Sequence, residues 1–191
     1  MKVVPTELPD VLLLEPKIHG DDRGHFFESY NRRVLAKSAG IDVEFVQENQ
    51  SRSSRNVLRG LHYQIRQPQG KLVRVLQGSI FDVAVDMRAS SPTFGRWVGL
   101  HLSAENQRIA WIPPGFAHGF LVLSDSADFL YKVTDYWAPE YERSLRWNDP
   151  DLAIAWPSTD ALTHSAKDQA TPILSEKDQT APLFKVAERY A

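Results

Sequence analysis

The chain contains no cysteine among its 191 residues and only two methionines. Without thiols it can form no disulfide, hold no metal through thiolates and run no thiol redox chemistry. A strong charge of either sign is also missing. Lys and Arg number 22 against 24 Asp and Glu, a net charge of −2, which gives nucleic acid or an acidic membrane face little to bind. No apolar run approaches the length of a membrane span, and Met1 to Asp10 contain no signal-peptide hydrophobic region. These absences predict a soluble, cytoplasmic protein with no nucleic-acid or membrane partner. The apolar content, 42%, is enough for one domain with a full core.

Short runs of alternating polarity dominate the middle of the chain. Lys71 to Met87 holds two of them around Gln77-Gly78-Ser79; in the second, Phe81, Val83, Val85 and Met87 face one way and Asp82 and Asp86 the other. Further runs are Arg96 to Leu102, Arg108 to Ile112, Gly119 to Leu123 and Asp128 to Trp137. Turn residues separate them, at Ser90-Ser91-Pro92, Ala104-Glu105-Asn106, Pro113-Pro114-Gly115 and Ser124-Asp125-Ser126. This spacing predicts an all-β fold, an antiparallel sandwich or barrel. One helix is predicted over Arg32 to Ala39, with Asn31 as N-cap and Gly40 as its stop. The tail after Asn148 reads as turns and short helices packed outside the barrel. Within it, Ser165-Ala166-Lys167-Asp168-Gln169 recurs as Ser175-Glu176-Lys177-Asp178-Gln179, a local duplication too isolated for a solenoid.

Two histidine segments stand out, Arg59-Gly60-Leu61-His62-Tyr63-Gln64 and Pro113-Pro114-Gly115-Phe116-Ala117-His118-Gly119-Phe120. A strand histidine is most often a satisfied structural residue. Arg59 and Lys71, however, are poor core residues unless an anion meets them. A cavity holding an uncharged His beside cations can take a proton from a carbon acid and stabilise the oxyanion. His118 reads equally as a turn-flanking residue bonded to a carbonyl or as a second polar lining group. Tyr131 shares a face with Phe129 and Val133; alternation alone favours a core aromatic, and the other reading is a proton donor opposite His62. Val46 to Gln50 suits a strand lining a wet cavity, and Asp22 to Glu28 a solvated turn. Trp137 is either a rim aromatic able to stack on a flat ring or part of a packed corner.

In outline the two histidine segments resemble the signature segments of cupins, β-barrels that often bind a metal. The usual second His is here Gln64, and Lys71 stands in the stretch that supplies the acid, which points to an anion in place of a divalent ion. Longer segments carry a closer resemblance, nearly end to end. They include Phe26 to Asn31, Arg59 to Gln64, Gly70 to Arg74, Phe81 to Asp86, Ser91 to Gly95, Leu102 to Asn106, Trp111 to Phe120, Phe129 to Lys132 and Trp147 to Pro150. On these the chain resembles the dTDP-4-dehydrorhamnose 3,5-epimerases, a cupin-fold family that needs no metal or other cofactor.

The resemblance implies a jelly-roll domain over residues 1–191, with a barrel core at about 40–140, a C-terminal extension at about 148–191 and a few short peripheral helices. It implies an isomerase acting on a dTDP-sugar in dTDP-L-rhamnose biosynthesis. His62 would remove the protons at C3 and C5, Lys71 would stabilise the enolate and Tyr131 would return a proton from the opposite face. Arg23, Glu28, Gln47, Asn49, Arg59, His118 and Glu142 would line the nucleotide-sugar site, with arginine forks suited to diphosphate. Trp137 would stack on the base, where the family usually has Tyr. An Asp from a Ser-x-Lys-Asp segment would orient the histidine. Asp168 keeps the usual spacing from Trp156-Pro157, whereas Asp178 has the fuller local match; spacing favours Asp168. A homodimer is also implied, with residues 20–30 reaching the partner's site. A single-centre epimerase and a sugar-nucleotide-binding cupin without turnover are the competing readings, and a metal-dependent dioxygenase would need ligands the chain lacks.

Overall fold

The computed structural model describes residues 1–158 and 171–191. Thirteen strands lie within them: β1 (Lys2–Pro5), β2 (Leu12–Glu15), β3 (His19–Asp21), β4 (Gly24–Phe26), β5 (Gln47–Ser54), β6 (Leu58–Gln64), β7 (Lys71–Gln77), β8 (Ser79–Asp86), β9 (Trp97–Ser103), β10 (Ile109–Ile112), β11 (Phe116–Val122), β12 (Ser126–Val133) and β13 (Glu142–Ser144). Two antiparallel sheets form the body, ordered β1-β2-β10-β7-β12-β5 and β13-β6-β11-β8-β9, and β3 and β4 make a separate exposed hairpin.

The expected helix is present as α1 (Arg32–Ala39). Asn31 caps it by accepting from the Val34 N–H, and Gly40 ends it at φ 69°, a left-handed conformation that glycine adopts without penalty. The helix packs Leu35 with Ile41 against Leu14, Leu72, Ile109 and Trp111 on the outer face of the six-stranded sheet.

The core between the sheets draws Val73, Val75, Ala110, Ile112 and Phe129 from one sheet and Ile80, Ala84, Val98, Phe116 and Phe120 from the other. A third apolar layer covers the outer face of the five-stranded sheet. There Leu61, Tyr63, Phe81, Val83, Val85 and Met87 meet Leu145, Leu152 and Ala187, with Trp156, Phe184 and Tyr190 packed against them. The apolar face of β8 therefore points outward beneath the C-terminal segment, and its polar face, with Asp82, points into the sandwich.

That C-terminal segment is more than a cover. Ile173 forms a parallel bridge to Val57, exchanging backbone hydrogen bonds with Asn56 and Leu58. A four-residue helix follows, α2 (Glu176–Gln179), capped by the Ser175 hydroxyl accepting from the Asp178 N–H. The tail expected outside the barrel thus also delivers a buried aspartate to β6.

Candidate active site

The site is built on the inward faces of β5, β6, β7, β11 and β12 at one end of the sandwich. Gly60 and Gly119 allow β6 and β11 to close up. A Cβ on Gly60 would stand 2.5 Å from Gly119 Cα and 2.9 Å from the His118 carbonyl oxygen. The close approach brings His62 and His118 into direct cross-strand register.

His62 is partly exposed, its side chain at 28%, and its Nε2 lies 2.6 Å from Oδ1 of Asp178, which is 2% exposed. Burial alone would push the Asp178 carboxyl up, but hydrogen bonds and charge from His62, with further bonds from Ser175 and the Gly60 N–H, hold it below the usual carboxylate range. The carboxylate accepts the Nε2 hydrogen, so the His62 Nδ1 keeps its lone pair.

The aspartate on His62 is therefore Asp178, whereas spacing from Trp156 favoured Asp168. Distance along the chain from Trp156 does not set the reach, because the Ile173–Val57 bridge re-anchors the tail beside β6 five residues before Asp178. Asp168 lies outside the described residues.

Lys71 begins β7 and points inward with Val73. It is buried, its Nζ 3.4 Å from the His62 carbonyl oxygen. Burial lowers its ammonium to about 8, against opposing attraction from Asp82 and Glu142. Tyr131, opposite Asn49 on β5, packs on Phe129 with ring centroids 5.5 Å apart. Burial raises its phenol, and nearby Arg59, Glu142 and an Asn49 hydrogen bond modulate it, so the hydroxyl keeps its proton at neutral pH. The ring is packed in the core, as alternation favours, and the phenol lies near Asn49, Arg59 and Glu142.

Gln47 and Asn49 point inward from β5 and bond to each other at 2.8 Å. Arg59 donates to the Ser53 hydroxyl at 2.9 Å. Glu142, on β13 opposite Gln64, pairs with Lys177 at 2.9 Å. Trp137 is 59% exposed at the rim; its backbone N–H donates to Gln47 Oε1. Gln64 does not face the histidine as a reacting group. Its buried amide donates to the carbonyls of Gln67 and Tyr136 and accepts from the Ala138 N–H, clamping the loop that carries Trp137. Among the described residues no group of three His, Asp or Glu is placed to hold a metal ion.

Two expected residues are not brought in by this chain. Arg23 sits on the exposed β3–β4 hairpin at 90% side-chain exposure, paired with Asp21. Glu28 is exposed and accepts from Asn31. Two others went unread in the sequence. Lys177 lies within the duplicated motif. Asp82, 1% exposed, bonds His118 Nε2 at 2.8 Å. The one available sign of Asp82 was its place on the polar face of an otherwise apolar strand.

An imidazole backed by a carboxylate, a buried ammonium and a protonated phenol, gathered inside a jelly-roll sandwich, define an acid–base enzyme of the cupin fold. A family model described as dTDP-4-dehydrorhamnose 3,5-epimerase matches residues 5–186. A Pseudomonas aeruginosa protein of that name is 60% identical over 98% of both chains. The Legionella pneumophila dTDP-6-deoxy-D-glucose-3,5-epimerase, solved in complex with dTDP-4-keto-L-rhamnose, superposes with a TM-score of 0.89 at 50% identity, over 100% of this chain and 98% of that one. A 3'-monoepimerase from Streptomyces bikiniensis, in complex with dTDP-quinovose, has a TM-score of 0.84 at 35% identity, over 97% and 88%. The chain belongs to the dTDP-4-dehydrorhamnose 3,5-epimerase family.

Proposed function

We propose that the chain inverts C3 and C5 of dTDP-4-dehydro-6-deoxy-D-glucose to give dTDP-4-dehydro-L-rhamnose. The observation that carries this reading is the His62–Asp178 pair at 2.6 Å beside the buried Lys71 ammonium. Both carbons flank the C4 ketone, so loss of either proton gives an enolate. His62 Nδ1 takes the proton, and the imidazolium that forms is stabilised by the Asp178 carboxylate. Lys71 stands where negative charge develops on O4, in a site of low polarity where one fixed cation is worth far more than in water. Tyr131, protonated and on the opposing sheet, returns a proton from the other face at C5. No carbon changes oxidation state: each proton lost to His62 is replaced by one from Tyr131 at C5 or from water at C3, and His62 and Tyr131 recover their starting protonation by exchange with solvent.

Arg59, Gln47, Asn49, His118, Glu142 and Trp137 bind the nucleotide sugar, Trp137 by stacking. The working form is a cytoplasmic homodimer whose β3–β4 hairpin brings Arg23 to the partner's site. The exposure of Arg23 and of Phe26, at 73%, supports that arrangement.

Incubation with the 4-keto sugar nucleotide in deuterium oxide tests the reading: deuterium enters at C3 and C5, and its absence from both sinks it. The similarity to a 3'-monoepimerase supports a second reading, inversion at one centre, for which deuterium at one carbon alone is the sign.

A further inference from the structure

Asp82 has no part in the reaction as written, yet it lies inside the sandwich at 1% exposure. Its Oδ1 accepts from His118 Nε2, while its Oδ2 is buried without a hydrogen-bond partner. The other deeply buried β8 carboxylate, Asp86, differs. It is answered by Arg88, Ser91 and Thr93. A half-satisfied buried carboxylate is costly unless an opposite charge faces it.

The titratable groups around this point are Lys71 from β7, His62 from β6, His118 from β11, Glu142 from β13 and Lys177 from α2. Glu142 and Lys177 pair with each other at 2.9 Å, and His62 is paired with Asp178. That leaves Lys71, the only buried lysine or arginine among the described residues and in no ion pair of its own, as the cation whose charge acts on Asp82 across the interior.

We infer that Asp82 is a positioning residue for the enolisation: its carboxylate fixes His118 as the Nε2–H tautomer and supplies the buried counter-charge that keeps the Lys71 ammonium protonated. Burial lowers His118, so the ring is neutral and its Nδ1 offers a lone pair to a sugar hydroxyl. The group Lys71, Asp82 and His118 then carries no net charge, the cheapest state for a desolvated cluster. A second proton on His118 would break that balance. The inference rests on the role given to Lys71 above.

Asp82→Asn keeps the shape and an acceptor for His118 while removing the charge. The expected result is a variant that stays folded by near-ultraviolet circular dichroism and whose alkaline limb in kcat/KM for deuterium exchange falls by about one pH unit or more. Its deficit against the parent shrinks as the pH falls, and Asp82→Glu recovers part of the limb. An unmoved limb, or the same deficit at every pH, overturns the inference.

A stability cycle needs no activity. Unfolding constants for Asp82→Asn, Lys71→Met and the double variant should show coupling of about tenfold or more, the double variant losing less than the sum of the single losses; additive losses overturn the inference. If Asp82→Asn does not fold alone, rescue by Lys71→Met supports the coupling and failure of rescue refutes it. If the parent exchanges deuterium at neither carbon, the epimerase reading fails while the cycle still decides the Asp82–Lys71 pairing.

Discussion

Two His–Asp pairs sit side by side on β6 and β11, and they have nearly the same hydrogen-bond length, 2.6 Å for His62–Asp178 and 2.8 Å for His118–Asp82. Their surroundings differ. His62 is 28% exposed and takes its carboxylate from the returning C-terminal segment; His118 is 7% exposed and takes its carboxylate from the neighbouring strand. One imidazole can meet a substrate carbon and carry a proton away. The other is almost wholly buried, and burial keeps it neutral, fit to accept a hydrogen bond but not to carry a proton. The same chemical pair becomes a base or a fixed acceptor according to access and to the charge already buried beside it.

The comparison breaks most sharply at the bases themselves. His62→Ala should abolish exchange at both C3 and C5, a loss on the order of 10³-fold, while His118→Gln should cost about tenfold. Equal losses in deuterium incorporation would erase the distinction. Next in size is the carboxylate: Asp178→Asn should lower kcat by on the order of 10²-fold through a misdirected imidazole, with Asp168→Asn near the parent. The reverse ranking in steady-state rates would return the role to the first copy of the motif. Tyr131→Phe should retain exchange yet block inversion at C5, which NMR of the product reads directly.

The pH dependence sharpens the charge side of the comparison. Because burial lowers Lys71 to about 8, activity should fall above that pH as the ammonium is lost, and Lys71→Arg should carry the plateau to higher pH. For stability the sign is opposite. The folded value lies below the ordinary 10.5, so the unfolded chain binds more protons between about 8 and 10.5, and this group's burial cost fades as pH rises through that window. The smallest expected effect is at the rim. Gln64→Leu frees the Trp137 loop and should raise KM about tenfold with kcat nearly unchanged. A matching fall in kcat would mean that Gln64 reaches the chemistry.

Features written in short stretches of sequence were legible. Helix α1 is legible at both ends, since its start and stop signals, Asn31 and Gly40, act on neighbouring backbone groups. The turn at Gly78 and the shared face of Tyr131, Phe129 and Val133 followed from turn chemistry and a period of two, although that turn crosses between the two sheets and its flanking strands do not pair. His62, Lys71, Tyr131, Gln47, Asn49, Glu142 and Trp137 were named from the resemblance, and the fold gathers them. Alternation on β8 separated its two faces but could not say which one points inward. An apolar face ordinarily marks the interior; here the C-terminal segment covers it, and the Asp82 face turns into the sandwich. Gln64 was noticed as an absent ligand, and its part as a backbone clamp depends on a loop more than 70 residues further along the chain.

By itself, then, the sequence determined the strand pattern, the helix with its caps, the thiol-free and nearly charge-balanced composition, and the residue types available for acid–base chemistry. Each of these depends on neighbours within a few positions. Tertiary structure alone decided that Asp178 is the carboxylate on His62, that Asp82 stands behind His118 and that Lys71 is buried among them. Those pairings join residues 116 and 36 positions apart for the two histidines. They are fixed by sheet register and by where the tail is pinned, and neither leaves a mark in local periodicity.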